Sequence, residues 1–132
     1  MLKGLLLNKV VRIMTVKKQL LGRLGESVAA RYLYSKGFII IHQNFRCRLG
    51  EIDIIAREKG VTVFVEVRSR CGSSYGLPQE SVVIKKQVKL RKLAQYYIAR
   101  YALTGDFRFD VVAVMFEQDN SIKLIEHFRN AF

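Results

Sequence analysis

Two carboxylates lie where the sequence pattern would place core residues. Asp53 stands in the apolar run 52–56 and Glu66 in the run 61–67. Both runs are rich in β-branched residues, and the short polar turn at 58–60 between them predicts a β-hairpin. A carboxylate is costly to bury unless a cation or several hydrogen bonds compensate it. The two acids are therefore the first candidates for chemistry in this chain.

The length of the hairpin turn decides whether these two acids meet. Side chains of a strand alternate between its two faces, and an even, two-residue turn sets residue 58 opposite residue 61. Asp53 then lies opposite Glu66, with Cβ atoms about 5 Å apart. Two carboxylates at that spacing favour an oxygen-ligated cation such as Mg²⁺ or Mn²⁺. The alternative, which stays open on the residues alone, is a structural ion pair between Glu66 and a nearby arginine or lysine.

Hydrophobic periodicity places these acids in an α/β domain. A helical period ending at Gly37 and another ending before Gly105 predict two helices, and the apolar runs between and after them predict five strands. The predicted order α-β-β-β-α-β-β comprises a helix at 17–36, strands at 38–45, 51–57 and 61–68, a loop at 71–78, a helix at 79–103, and strands at 107–116 and 122–126. Residues 17–132 are predicted to form a single domain, and residues 1–16 are an N-terminal extension without predicted order.

The charge of the chain points to a polyanionic partner. Its 23 Lys and Arg residues against 11 Asp and Glu residues give a net charge of +12. This charge favours nucleic acid first and an anionic membrane surface second. Arg46 and Arg48 follow Phe45, which either stacks on a base or packs in the core. The alternative is a solvated basic surface without a specific partner. The candidate nucleic-acid-binding residues are Arg46, Arg48, Arg70, Lys85, Lys86, Lys89 and Lys92.

Cysteine content and hydropathy argue against several classes of protein. Cys47 and Cys71 form no Cys-x-x-Cys pair and support neither a zinc site nor a disulfide framework. No stretch approaches the roughly 20 apolar residues of a membrane span, and the apolar run at Leu5–Leu7 is too short for a signal peptide. The sequence thus predicts a cytoplasmic protein without a membrane partner. A homodimer stays open.

The first predicted helix carries a third candidate acid. Glu26 follows Gly22 and Gly25, and four residues span about one helical turn, so Gly22 and Glu26 share a face. Because glycine lowers helix stability, two glycines beside an acid predict that the sheet or a ligand approaches the backbone closely. The alternative is an exposed Glu26 that pairs with Arg23 or Arg31.

Taken together, these motifs resemble the YraN-like family of small bacterial proteins. The resemblance covers nearly everything after residue 17. It is carried by Gly22 with Gly25-Glu26, by Asn44-Phe45-Arg46, by Gly50-Glu51-Ile52-Asp53, by Val63-Phe64-Val65-Glu66-Val67-Arg68 with Arg70, and by Arg108-Phe109-Asp110-Val111. The family is similar to the restriction-endonuclease-like (PD-(D/E)XK) superfamily and to the archaeal Holliday-junction resolvases. The resemblance implies a restriction-endonuclease-like α-β-β-β-α-β core, with a central mixed sheet flanked by helices.

The resemblance also implies a function. It implies a DNA-binding protein with an endonuclease site that hydrolyses phosphodiester bonds with Mg²⁺ or Mn²⁺, branched DNA being one candidate substrate. Asp53 and Glu66 would hold the metal ion, and Glu26 would be the acid of the first helix. The alternative is a non-catalytic nucleic-acid-binding module that retains the nuclease fold.

One residue departs from the family pattern. Arg68 stands where the family has a lysine. Its guanidinium can steady the scissile phosphate, but it loses a proton far less readily than an ammonium and is a poor base. Lys85 or Lys86 of the second helix could supply the missing ammonium from another element.

Overall fold

The structure, a computed structural model, describes residues 2–72 and 82–132. Two helices and five strands follow the predicted order of elements. They are α1 (Leu2–Ser35), β1 (Ile39–Cys47), β2 (Gly50–Glu58), β3 (Val61–Cys71), α2 (Ile84–Arg100), β4 (Phe107–Phe116) and β5 (Ile122–Phe128). The prediction of an α/β domain with an α-β-β-β-α-β core is confirmed.

The ends of the helices differ from the prediction. α1 begins at Leu2 and not at residue 17, so residues 2–16 continue the helix. α2 ends at Arg100 because Tyr101 leaves the helical conformation and Ala102 adopts a positive φ of 49°. At its other end, residues 82 and 83 are not helical. Most of the predicted loop at 71–78, and the predicted helical residues 79–81, lie outside the described residues. No described helix is long and apolar enough to cross a membrane.

The five strands form one mixed sheet in the order β1-β2-β3-β4-β5. β3 and β4 are parallel, and the other neighbours are antiparallel. Two successive parallel strands require a crossover connection, and α2 lies in that connection. The chain therefore brings α2 back across the sheet from the end of β3.

Each helix covers one face of the sheet. α1 contributes Ala29, Ala30 and Leu33 to a cluster that includes alternate residues of β3, namely Val63, Val65 and Val67. α2 contributes Leu90, Leu93, Ala94 and Tyr97 to a second cluster around Phe45 and Phe64. Phe45 is buried in this second cluster, so it packs in the core and does not stack on a base. The strands of the sheet centre are buried on both faces, which explains their nearly continuous apolar sequence.

The hairpin of β2 and β3 has the predicted two-residue turn. Glu58 pairs with Val61, and the register continues to Ile54 opposite Val65, where the ladder ends. One step further in the same register, Asp53 is level with Glu66. Ile52 belongs to the cluster under α2, whereas Ile54 belongs to the cluster under α1. The alternation of faces along β2 is thus interrupted at Asp53, which stands where the two strands part.

A buried polar network ties β4 to β5 and to the hairpin. The carboxylate of Asp110, fully buried, accepts hydrogen bonds from Arg108 Nε (2.9 Å) and from the backbone N–H of Asn130 (2.9 Å), and it lies 2.8 Å from His127 Nε2. Burial alone would raise the pKa of Asp110, but these partners outweigh burial and hold its pKa below the usual range. Arg108 also binds Glu58 at 2.8 Å. The motif around Asp110 therefore serves the fold and not the candidate site.

α1 approaches β3 most closely at Gly25. A Cβ atom at this position would lie 1.8 Å from Ser69 Oγ and 3.0 Å from Ser69 Cβ. The prediction that a helix glycine permits a close approach is confirmed for Gly25, and the approaching group is the sheet. At Gly22 a Cβ would meet nothing within 4 Å. Because Glu26 follows Gly25, this contact sets how near the helix acid comes to β2 and β3.

The two glycines provide a matched test of this contact. We expect Gly22→Ala to raise the free energy of unfolding by up to about 1 kcal/mol, since alanine is the better helix former. Gly25→Ala gains the same propensity, but overpacking against Ser69 costs about 1–3 kcal/mol, so a net loss is expected. Urea unfolding of the two variants measures the difference. Equal stabilisation by both alanines would show that the contact with Ser69 does not constrain the helix.

Candidate metal and nucleic-acid site

The site is centred on Asp53, at the point where β2 and β3 separate. Beyond the end of the ladder, the backbone N–H of Val67 donates to Asp53 Oδ2 at 2.8 Å, so the carboxylate replaces a backbone acceptor of the neighbouring strand. Burial raises the pKa of Asp53 to about 8, and the negative charges of Glu66 and Glu26 add to this effect against the hydrogen bond from Val67. Asp53 is therefore an acid crowded by other acids.

Two further acids converge with Asp53. One carboxylate oxygen from each of Glu26, Glu51 and Asp53 lies within 4.8 Å of the other two. Glu26 comes from α1, while Glu51 and Asp53 are two residues apart on β2. Burial raises the pKa of Glu26, and the charge of Glu51 raises it further. We call Glu26, Glu51 and Asp53 the acidic cluster.

Two side chains of β1, those of Asn44 and Arg46, contact the acidic cluster. The amide nitrogen of Asn44 is oriented to donate to Glu26 Oε2 (2.8 Å) and to Glu51 Oε1 (2.9 Å). Arg46 Nε lies 3.3 Å from Glu51 Oε2. Asn44 has a positive φ of 55°, a conformation that asparagine tolerates better than most residues. The motif around Asn44 thus links the acid of α1 to the acids of β2.

Glu66 lies beside the acidic cluster but has basic partners of its own. Its side chain is only 5% exposed, and Oε1 contacts both Lys86 Nζ and Arg68 Nη1, the latter at 3.5 Å. A buried carboxylate with two cationic neighbours is well compensated. Asp53 and Glu66 are brought together as the sequence predicted, and the pairing of Glu66 with a lysine and an arginine, left open by the sequence, is also present.

The sequence could not show where the side chain of Lys86 lies. Lys86 was predicted both as a DNA-binding residue of α2 and, as an alternative to Lys85, as a source of the missing ammonium, and its ammonium contacts Glu66 Oε1. Glu51 and Asn44 are the other residues of this site that the sequence reasoning missed. The signal for Glu51 is its two-residue spacing from Asp53, which puts both side chains on one face of a strand. The contact of Asn44 with Glu26 depends on how α1 packs and has no local signal.

The remaining basic candidates comprise two exposed groups and one half-buried arginine. Lys85, Lys89 and Lys92 are exposed on α2, and Arg46 and Arg48 are exposed near the turn between β1 and β2. The two groups meet at Gly50, where an added Cβ would lie 2.9 Å from Lys89 Cε. Arg70 differs from them, since it is half-buried and donates to the carbonyl of Ser69 at 3.0 Å.

The donor set of the acidic cluster fits a hard divalent cation. All three groups offer carboxylate oxygens, which Mg²⁺ and Mn²⁺ prefer over the nitrogen and sulfur ligands typical of zinc. Asn44 donates to two of the acids, but burial raises the pKa of Asp53, and the charges of Glu66 and Glu26 raise it further, so charge crowding adds to the cost of ionising it. A cation among the three carboxylates would relieve that crowding.

The order of the elements and the position of the acids define the structural class of the chain. The chain is an α/β domain with an α-β-β-β-α-β order of elements, the order expected of a restriction-endonuclease-like core, and acids lie where its central hairpin opens. The family described as "Uncharacterised protein family UPF0102" matches residues 25–114, and the chain belongs to this family, also called YraN-like. The predicted family resemblance is confirmed.

Relatives that share this family label cover most of the chain. A UPF0102 protein of Pelotomaculum thermopropionicum is 50% identical over 116 residues, which are 87% of this chain and 97% of the relative. UPF0102 proteins of Caldicellulosiruptor bescii and of Clostridium botulinum (strain Loch Maree) are 47% and 46% identical over 114 residues. These alignments cover 84% and 85% of this chain and 95% and 93% of the two relatives, respectively.

Charge crowding at Asp53 leads to a prediction about stability. Asp53→Asn keeps the shape of the side chain and an oxygen that can accept from the Val67 N–H, but it cannot ionise, so folding no longer has to suppress an ionisation that burial and the neighbouring acids disfavour. We expect the free energy of unfolding, measured with a metal chelator present, to rise by about 1 kcal/mol, as is common when a strained functional group is replaced. Glu117→Gln, at an exposed acid outside the cluster, should change it by less than about 0.5 kcal/mol. A clear loss of stability in Asp53→Asn would mean that the carboxylate supports the fold.

Proposed function

We propose that this protein binds DNA and hydrolyses its phosphodiester bonds with the help of a divalent cation. The observation that carries the proposal is the convergence of Glu26, Glu51 and Asp53 beside the pair formed by Glu66 and Lys86. A structural role alone does not require four acids from three elements to meet within one opening of a sheet. The net charge of +12 supports a polyanionic substrate.

The acidic cluster would hold the ion. Glu26, Glu51 and Asp53 each present an oxygen, and Glu66 is close enough to Asp53 to influence its charge. When bound, Mg²⁺ or Mn²⁺ would supply Lewis acidity toward the phosphate and lower the pKa of a water nucleophile. Asn44 would keep the carboxylates of Glu26 and Glu51 oriented toward each other.

Lys86 and Arg68 would supply the positive charge that the acids lack. Both side chains contact Glu66 Oε1, so both cationic groups lie at the edge of the acidic cluster. A phosphodiester that approaches four carboxylates is repelled unless cations lie close to its oxygens. Lys86 carries the ammonium that the family pattern has at position 68, and it can hold or release a proton at Nζ, whereas Arg68 acts as a fixed cation on phosphate.

A nuclease assay tests these roles. We expect cleavage of linear, flapped or branched DNA with Mg²⁺ or Mn²⁺, and a loss on the order of 100-fold or more in Asp53→Asn and in Lys86→Met. Lys85→Met is the matched control, since Lys85 is the neighbouring lysine on the same turn and is exposed. If Lys85→Met and Lys86→Met lose activity equally, the contact with Glu66 is not what the reaction uses.

The basic surface leads to a separate prediction about affinity. DNA binding should weaken with salt with a log–log slope of about −0.9 for each phosphate neutralised. Changing Lys85, Lys89 and Lys92 to glutamate should reduce both the affinity and the slope. The control changes Lys36, Lys59 and Lys123 to glutamate, which alters net charge equally at exposed lysines on other elements. Equal losses in the two triple variants would mean that only net charge matters.

A second function is favoured by the partners of Glu66. Lys86 and Arg68 already compensate this acid without any metal ion, as they would in a DNA-binding module that kept the fold and lost the chemistry. The two functions differ in the assay above. DNA binding by the surface of α2, with no cleavage of any of the three DNA structures under either ion, would favour the non-catalytic module.

A further inference from the structure

The N-terminal half of α1 exposes an unusual amount of apolar surface. All of residues 3–20 are exposed. Nine large apolar side chains in the segment each expose half or more of their surface. They are Leu5, Leu6, Leu7, Val10, Val11, Ile13, Met14, Val16 and Leu20. Together they present on the order of 800 Å², which exceeds the largest apolar patch of a typical monomer.

A helix with this composition needs a partner. An isolated helix of fewer than about 15 residues is marginal in water even when it is rich in alanine. This segment contains Gly4 and a β-branched stretch that includes Val10, Val11 and Ile13, all of low helix propensity. The family match begins at residue 25, so this exposed apolar segment lies outside the matched range.

The apolar residues of α1 form a seam with coiled-coil spacing. Positions 6, 10, 13, 17, 20 and 24 follow one another in steps of four and three residues, and at 100° per residue they fall within an arc of about 80°. All are leucine, valine or isoleucine except Lys17. Asn8 and Thr15 lie on the opposite side. Gly25 and Ala29, which face the sheet, lie about 100° and 140° from the centre of the seam, so the seam is not a continuation of the core.

We propose that the seam pairs with the seam of a second copy of this chain in an antiparallel, two-fold arrangement. Leu6 of one copy then packs against Leu24 of the other, Val10 against Leu20, and Ile13 against Lys17. The stem of Lys17 covers the apolar partner while its ammonium reaches solvent. A single polar residue in such a seam is a known means of fixing register.

The area permits and the charges favour a second copy in this orientation. Leu6, Val10, Ile13 and Leu20, the seam members among these nine side chains, hold about half of that exposed area, so two paired seams would bury on the order of 800 Å² in total, at the low end of specific interfaces. Residues 3–24 contain six Lys and Arg residues and no acid, so acids must come from elsewhere. The antiparallel register sets the partner's Lys9, beside its seam, opposite Leu21 and so near the turn after β4, where Glu117 and Asp119 are exposed.

A groove lies where the partner's first turn would end. It has a volume of about 440 Å³ and lies between α1 and the turn after β4. Its apolar wall is formed by Leu20, Leu21 and Leu24, and Gln118 and Asn120 line the opposite side. In this register the partner's residues 6–13 face residues 17–24, so the partner's Leu6 and Val10 lie against this apolar wall. The seam and the groove thus form one continuous surface.

Sedimentation of the full chain tests the proposal. We expect the wild type to be a dimer and Val10→Lys/Ile13→Lys to weaken the dimer on the order of 30-fold or more. Asn8→Lys/Thr15→Lys adds the same charge on the opposite side of the helix and should remain dimeric. Thermal unfolding checks that both variants keep the domain. A monomeric wild type, or equal weakening by both variants, would overturn the proposal.

Cross-linking tests the orientation independently of stability. In a Cys47→Ser/Cys71→Ser background, a mixture of Val10→Cys and Leu20→Cys chains should form mixed disulfides, while Val10→Cys alone should form few. Disulfides from Val10→Cys alone would indicate parallel helices and overturn the arrangement.

Binding of the chain to phosphatidylglycerol vesicles tests the alternative of a membrane surface. A monomer that binds them, and binds them as well after Val10→Lys/Ile13→Lys, would identify a basic membrane-surface helix instead.

Discussion

The hydrogen bond from the Val67 N–H to the carboxylate of Asp53 is the interaction on which the candidate site depends. It forms where the ladder between β2 and β3 has ended, so a side chain takes over the role of a backbone acceptor. This places a carboxylate inside the sheet, between one acid from β3 and another from α1. The strands could close over an apolar residue at this point, but the opening for Glu26 and Glu51 would then be lost.

The opening persists because neighbouring contacts hold it from three sides. Gly25 lets α1 approach Ser69 closely enough for Glu26 to reach the cluster. From β1, Asn44 joins Glu26 to Glu51. α2 brings Lys86 to Glu66 from the other face of the sheet. Each contact joins elements that are distant in sequence, so the arrangement follows from the packing of two helices on one sheet and not from any single motif.

The sequence predicted what depends on local rules and missed what depends on packing. The two-residue turn and the alternation of side chains gave the hairpin and set Asp53 level with Glu66. The same rule of alternation, carried one step further, would have added Glu51. Nothing local could show that Lys86 points to Glu66 while Lys85, one residue away, is exposed. The start of α1 was missed although Leu6, Val10 and Ile13 already have helical spacing, because their side of the helix does not continue into the core.

The distribution of charge connects the site to the surface around it. Four of the 11 acidic residues are gathered at one opening of the sheet, although the chain carries a net charge of +12. The excess of bases draws a polyanion toward the domain at long range, but at contact distance the acids repel its phosphates. Lys86 and Arg68 lie at the boundary between these two regions, both on Glu66. In the proposed function, we therefore expect a phosphate to approach the acidic cluster on the side where these two cations lie, which would give the site a direction of approach as well as a charge.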